Sequence, residues 1–289
     1  TIYPTCAAVR LKPAAAHGSL HPATRTHQGP SMRCRLPWML ASLLAGGGLI
    51  AIQPTSGFEQ PDRSSIPFHT VLELEQTARL LAVLLDSGRA VINDNQILLD
   101  ESHGKGLTPD AFERQLLDMF RGRAGIDMRE LDNTTLAPRT KRLLRALVDT
   151  SRQVIADVRG ERDPQAAGFT GFIPAAFGAR VSARLTDQTG VRLKQTSLAP
   201  RNPANRPDAY ERGALEAFAD SAYPRETVIS EMAANSSSFR LMFPLYATRH
   251  CLDCHGEPKG VADRMGYPRE GLVLGQNAGA ISVLLPVKP

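Results

Sequence analysis

The sequence predicts an α+β fold: an antiparallel sheet flanked by helices, preceded by a long N-terminal helical segment. Two observations carry this. Apolar residues recur at helical spacing through residues 68–160. Further on, short runs rich in β-branched and aromatic residues replace that period, bounded by Gly, Pro and Asn clusters.

In chain order, residues 1–31 are rich in Pro, His, Ala and Thr without periodicity, and read as disordered or as upstream sequence. Met32 reads as the natural start. Arg33 and Arg35 precede an uncharged apolar run from Leu36 to Ile52, so residues 32–53 read as a signal peptide or membrane anchor. Export to the periplasm, or anchoring at the outer face of the cytoplasmic membrane, is expected from it. Residues 54–67 form a polar, Pro-rich linker, and residues 68–289 the folded domain.

Phe68 to about Ser102 predicts one long helix or two. Leu72, Leu74, Ala78, Leu81, Leu84, Leu85, Val91 and Ile92 form a broad apolar face opposite Glu73, Glu75, Arg79 and Arg89. Such a helix closes a domain or pairs with a second copy. Thr108-Pro109-Asp110 marks a helix start, with Thr as N-cap and Pro in the first turn. Pro138 opens another helix that stops at Gly160, and a third runs from Ala175 to about Thr189, ended by Gly190. Val191–Ser197 alternates as a strand. Three prolines between Leu198 and Pro207 exclude helix and central strand, leaving a shaped loop whose Arg201 could clamp an anionic group. Asp208 caps a helix to Phe218. Thr227–Met232, Phe239–Ala247 and Gly279–Leu285 complete the strands, and Asp263–Glu270 is a Gly/Pro loop.

Charge gives little. The formal net charge of +5 comes from residues 1–58, which hold Arg10, Lys12, Arg25, Arg33 and Arg35 and no acid. The rest is neutral, so no nucleic-acid surface is expected. Of the four cysteines, Cys6 and Cys34 lie in the leader and the other two in one motif, which leaves no disulfide framework.

That motif is Cys251-Leu252-Asp253-Cys254-His255, followed by Gly256-Glu257-Pro258-Lys259-Gly260. C-x-x-C-H is the attachment pattern of a c-type haem. Two thiols on a single turn can add across the two vinyl groups of one porphyrin, and the adjacent His reaches the iron as proximal ligand. The expectation is one covalently attached haem c, bound through Cys251 and Cys254, with His255 on the metal. A structural zinc site would need four ligands, and no second C-x-x-C or H-x-x-x-H completes one. A thioredoxin-like dithiol would need a helix after the motif, which Gly256, Pro258 and Gly260 prevent.

Several blocks resemble one family together: Gly88-Arg89-Ala90-Val91, Gly168 to Phe177, Gly190 to Thr196, Arg201 to Asn205, Cys251 to Gly260, and Gly279 to Val283. The chain resembles the c-type haem domains of PAS-like fold, the Tll-like haem domain family. The resemblance implies a PAS-like sheet, one covalent haem, and a role as redox or small-ligand sensor. Many members are fused to chemoreceptor, kinase or cyclase modules. Here the sequence stops at Pro289 just after the last strand, so signalling within the chain is not expected. Some relatives take a Cys from the N-terminal helices as second axial ligand, but no Cys lies between Cys34 and Cys251. The remaining candidates for that position are His69, His103, His250, Met119, Met128, Met232, Met242, Met265 and Lys194.

The functional expectation is an exported monohaem c-type protein in redox or small-ligand sensing or in electron transfer, not an enzyme. Its partner would be a redox protein or a signalling membrane protein, with a homodimer through the N-terminal helix as a further option. Two other classes compete. A haem enzyme such as a small peroxidase needs a distal acid–base pair, and no His/Arg pair of recognisable spacing is present. A binding module would use its haem only to engage a membrane partner.

Overall fold

The computed structural model describes residues 68–100, 106–160, 171–233 and 237–287. The leader, signal and linker expectations for residues 1–67 lie outside them. Among the described residues, no helix is long and apolar enough to cross a membrane.

The predicted first helix is two: α1, Phe68–Asp94, and the short α2, Gln96–Asp100. Then follow α3 (Pro109–Ala124), a 3₁₀ turn (Met128–Asn133), α4 (Pro138–Gly160) and α5 (Pro174–Thr189). The start of α3 is as read from sequence: the Thr108 hydroxyl accepts from Ala111 N, and Gly125 closes the far end in the left-handed region. The second half holds β1 (Arg192–Thr196), a 3₁₀ turn (Pro203–Asn205), α6 (Ala209–Ala219), β2 (Ile229–Met232), β3 (Ser238–Tyr246), α7 (Arg249–His255) and β4 (Asn277–Pro286). Asp208 and Glu211 cap α6 reciprocally, each side chain accepting from the other's backbone N–H.

The strands form one antiparallel sheet in the order β1-β4-β3-β2. The α+β architecture, with helices flanking an antiparallel sheet behind a long helical segment, is therefore as expected. Alternation along the two central strands assigns their faces. Phe239 and Leu241 of β3 and Ile281, Val283 and Leu285 of β4 join the main core with the N-terminal helices. Met242 and Ala280 point the other way, under Ala214, Leu215 and Phe218 of α6.

Helix α1 is packed within the chain's own core. From Thr77 to Ile92 most of its residues are buried, because α3, α4, α5 and the sheet surround it. Its apolar stripe is wide enough to be a central helix, packed on several sides. The tightest approach is at Gly88, where a Cβ would lie 2.7 Å from the fully buried ring of Phe177 on α5. Only a residue without a side chain admits that crossing.

Between β3 and β4 the chain makes one long excursion. Its base is closed by Ala247 N donating to Gln276 O and Gly275 N donating to Ala247 O, each 2.8 Å. A register shift between Leu245 and Tyr246 marks where the pairing turns aside. The C-x-x-C-H motif and the Asp263–Glu270 loop both lie on this excursion.

Candidate functional site

Thr248 precedes α7 but does not cap it through its side chain. Its hydroxyl lies 3.3 Å from Cys251 Sγ instead. The helix is seven residues long and carries the whole motif, so residues 251, 254 and 255 share one face at i, i+3 and i+4. Cys251, Cys254 and His255 are all half-buried, while Asp253 is exposed. Both thiols are free. Burial raises the pKa of Cys254, and nearby Asp263 adds to this, so at neutral pH it is a thiol.

The helix stops at Gly256 for a steric reason. A Cβ there would lie 2.6 Å from the Leu252 carbonyl oxygen. The bare backbone lets Gly256 N donate to that same oxygen at 2.9 Å. After this stop, Leu272 N donates to His255 O at 2.8 Å, which ties the returning chain to the end of α7.

His255 is held from behind. Its Nδ1 lies 2.7 Å from Glu270 Oε2. Burial pushes the Glu270 carboxyl up, but hydrogen bonds from Arg201 and His255 outweigh this and hold it below the usual range. An ionised carboxylate only accepts, so Nδ1 carries the proton of this hydrogen bond, and Nε2 is the ring nitrogen that Glu270 does not engage. Glu270 is in turn gripped by Arg201, through Nε to Oε1 at 2.6 Å and Nη2 to Oε2 at 2.8 Å. The same guanidinium donates to Asp263 Oδ2 at 2.5 Å and to the Cys254 carbonyl at 2.9 Å. Tyr267 stacks beside it, with the guanidinium carbon 5.5 Å from the ring centroid.

The expectation that Arg201 clamps an external anion is thus corrected. Two carboxylates of its own chain occupy it, because the Asp263 side chain has no solvent exposure and needs a cation beside it. Glu270 and Asp263 are the residues that sequence reasoning passed over. They sit in a stretch read only as a Gly/Pro loop, and their partner is far away in sequence. The one available signal was compositional: an arginine in a rigid proline loop and two acids in a second loop.

Among the described residues, the other predicted candidates have packing or partners of their own. Met242 is fully buried against α6. Met119, Met128 and Met232 pack on the main core, in the gap-filling role that suits methionine. Lys194 Nζ is committed to Glu211 at 2.6 Å. His250 Nε2 lies 3.6 Å from Asp94 at the end of α1. Met265 reaches toward Gly171, its Cε 3.9 Å from where a Cβ would stand. The side chains of His69 and His103 lie outside the described residues. Among the described residues, no three His, Cys, Asp or Glu side chains converge as a metal-ion site would require.

Fold and site define an α+β protein that presents C-x-x-C-H on one face of a short helix, with the histidine braced by a carboxylate. The chain belongs to the Tll0287-like family, whose model matches residues 73–286. Among solved structures, the crystal structure of the cyanobacterial heme-protein Tll0287 is similar at a TM-score of 0.37 and 16% sequence identity, over 52% of this chain and 96% of that one. No curated protein matches the chain.

Proposed function

We propose that this chain is a haem-binding protein carrying one haem c, bound covalently through Cys251 and Cys254, with His255 as an axial ligand. It is exported, to the periplasm or the outer face of the cytoplasmic membrane, and works in electron transfer or in redox or small-ligand sensing without turnover of its own. The observation that carries the reading is the orientation of His255. Its Nδ1–H is fixed on Glu270, and Nε2 is the nitrogen left for iron, on the same helix face as the two thiols. Family membership supports it, since the protein that gives the family its name is described as a heme-protein. The sheet, in which the first and last strands β1 and β4 pair side by side, suits the PAS-like assignment.

Bound haem would supply a one-electron couple. Everything else is the work of this chain. Cys251 and Cys254 would hold the group, each adding S–H across a vinyl group so that sulfur bonds one carbon and hydrogen the other. Neither step needs an oxidant. The residues fit that task, because both sulfurs are unpaired and only half-buried. Thr248 holds Cys251 at its hydroxyl. His255 would offer iron its Nε2.

A redox protein or a signalling membrane protein is the partner that this reading calls for. α1 spends its apolar residues inside the chain, so a homodimer through that helix would use its exposed start at Leu72 and Glu73.

The test is expression in a host with a c-type maturation system, followed by haem staining on a denaturing gel and intact mass. The expected result is a mass increase of one haem that survives denaturation. Cys251→Ala and Cys254→Ala together should abolish it, while each alone leaves a single thioether. Wild-type protein without covalent haem overturns the reading.

A further inference from the structure

We propose that Glu270 is a positioning residue for His255, and that Arg201 and Asp263 hold it so that the haem iron is biased toward its oxidised state. This rests on the haem reading above and adds a determinant of reduction potential.

The argument begins with hydrogen-bond directions. Glu270 Oε2 receives His255 Nδ1 at 2.7 Å and Arg201 Nη2 at 2.8 Å, while Oε1 receives Arg201 Nε at 2.6 Å. A carboxylate held at both oxygens cannot rotate away from the imidazole. It therefore fixes the ring's tautomer as well as its plane. A carboxylate acceptor draws the Nδ1 proton more strongly than a backbone carbonyl does, and leaves more electron density at Nε2. A more basic axial nitrogen favours ferric over ferrous iron, which lowers the potential.

Charge acts in the same direction. The cluster beside His255 holds one guanidinium, Arg201, and two carboxylates, Asp263 and Glu270. Its surplus is one negative charge. Oxidation places one more positive charge on the iron, so a fixed anionic cluster stabilises the oxidised form. The cluster is partly shielded, with the Asp263 side chain fully buried and that of Arg201 22% exposed. Its field is therefore less screened than that of a surface pair.

The cluster also links the two segments that make the site. Arg201 comes from the proline loop after β1, and its Nη2 holds the carbonyl of Cys254 within the motif itself. Asp263 braces its own loop by accepting from Met265 N and Tyr267 N at Oδ1, and presents Oδ2 to Arg201. The carboxylate behind His255 is thus held by the proline loop and the motif, with Asp263 bracing Arg201.

The experiment is redox titration of purified, haem-loaded Glu270→Gln beside the wild type, with covalent haem confirmed by mass in both. Gln keeps the length and an amide oxygen for His255 but removes the charge. The expected result is an upward shift of the midpoint potential by about 59 mV or more, a tenfold change in the one-electron equilibrium. Asp253→Asn removes the same charge from an exposed residue of α7, and should move the potential by well under half of that. Should the Gln variant load poorly, Glu270→Asp keeps the charge but retreats one methylene from His255, and an upward shift smaller than tenfold is expected. Loaded Gln and Asp variants that both titrate with the wild type overturn the inference and leave the haem reading standing. Absence of haem from the wild type overturns both.

Discussion

At the scale of single residues, Asp263 shows what a carboxylate needs before it can be buried. Its side chain has no solvent exposure, yet it remains charged. Burial pushes its pKa up, but the Arg201 guanidinium and the backbone N–H groups of Tyr267 and Met265 more than compensate, so the carboxyl lies below its ordinary range. The sign of the pH dependence follows. A depressed carboxyl stabilises the fold fully above its unfolded pKa, about 3.9 for Asp, and that contribution is lost as pH falls through the folded value. Asp263→Asn is therefore expected to cost about 2 kcal/mol at pH 7, the scale of a hydrogen bond to a charged group. Below about pH 4 the gap should begin to narrow, as the unfolded carboxyl takes up its proton, and it should close only as pH falls through the lower folded value. Melting temperatures of the two proteins between pH 7 and pH 3 measure this. A gap of constant size would mean that shape, not charge, is what Asp263 contributes.

At the scale of elements, α7 raises a question of existence. A seven-residue helix is too short to persist by itself in water. Its neighbours stabilise it: Gly256 ends it, Leu272 N holds the His255 carbonyl, and Arg201 holds the Cys254 carbonyl. Gly256→Ala would force a Cβ against the Leu252 carbonyl, and a loss of about 1–3 kcal/mol is expected, as for other overpacked sites. Chemical denaturation of the variant checks it, and unchanged stability would show that the end of α7 can shift to make room. The elements themselves were largely legible in the sequence. Thr108, Asp208 and Gly190 announce helix ends by local chemistry, and the alternation of Phe239, Leu241, Ile281 and Val283 announces strands by local period. The motif was legible for the same reason, because its spacing lies within one turn. What surrounds it was not. The His255–Glu270 and Arg201–Asp263 pairs join residues with no fixed spacing: closure of the excursion between β3 and β4 brings the first together, and the pairing of β1 with β4 carries the Arg201 loop to the second. The division at Asn95 between α1 and α2 was legible only as an option. There the Asn95 side chain donates to the Val91 carbonyl and to Gln115, a contact no helical pattern encodes.

At the scale of the whole molecule, the two halves share one interior. The main core runs without a break from α1, α3, α4 and α5 to Leu193 of β1, Phe239 and Leu241 of β3 and Val283 of β4. A core that spans both halves should make them unfold together, since neither can lose its packing without exposing the other's apolar face. Leu81 is fully buried near the middle of α1. Leu81→Ala should cost about 2–5 kcal/mol, combining lost burial with the cavity left behind. Two optical probes separate the halves. Far-UV circular dichroism follows mainly the helices, whereas the tyrosines of the folded region, Tyr210, Tyr223, Tyr246 and Tyr267, all lie after β1 and report the sheet half in the near-UV. The expected outcome is that both signals of Leu81→Ala fall at one lowered temperature, as both do together in the wild type. A helical signal that melts early while the tyrosine signal survives would mean that the sheet, and α7 with it, stands without α1.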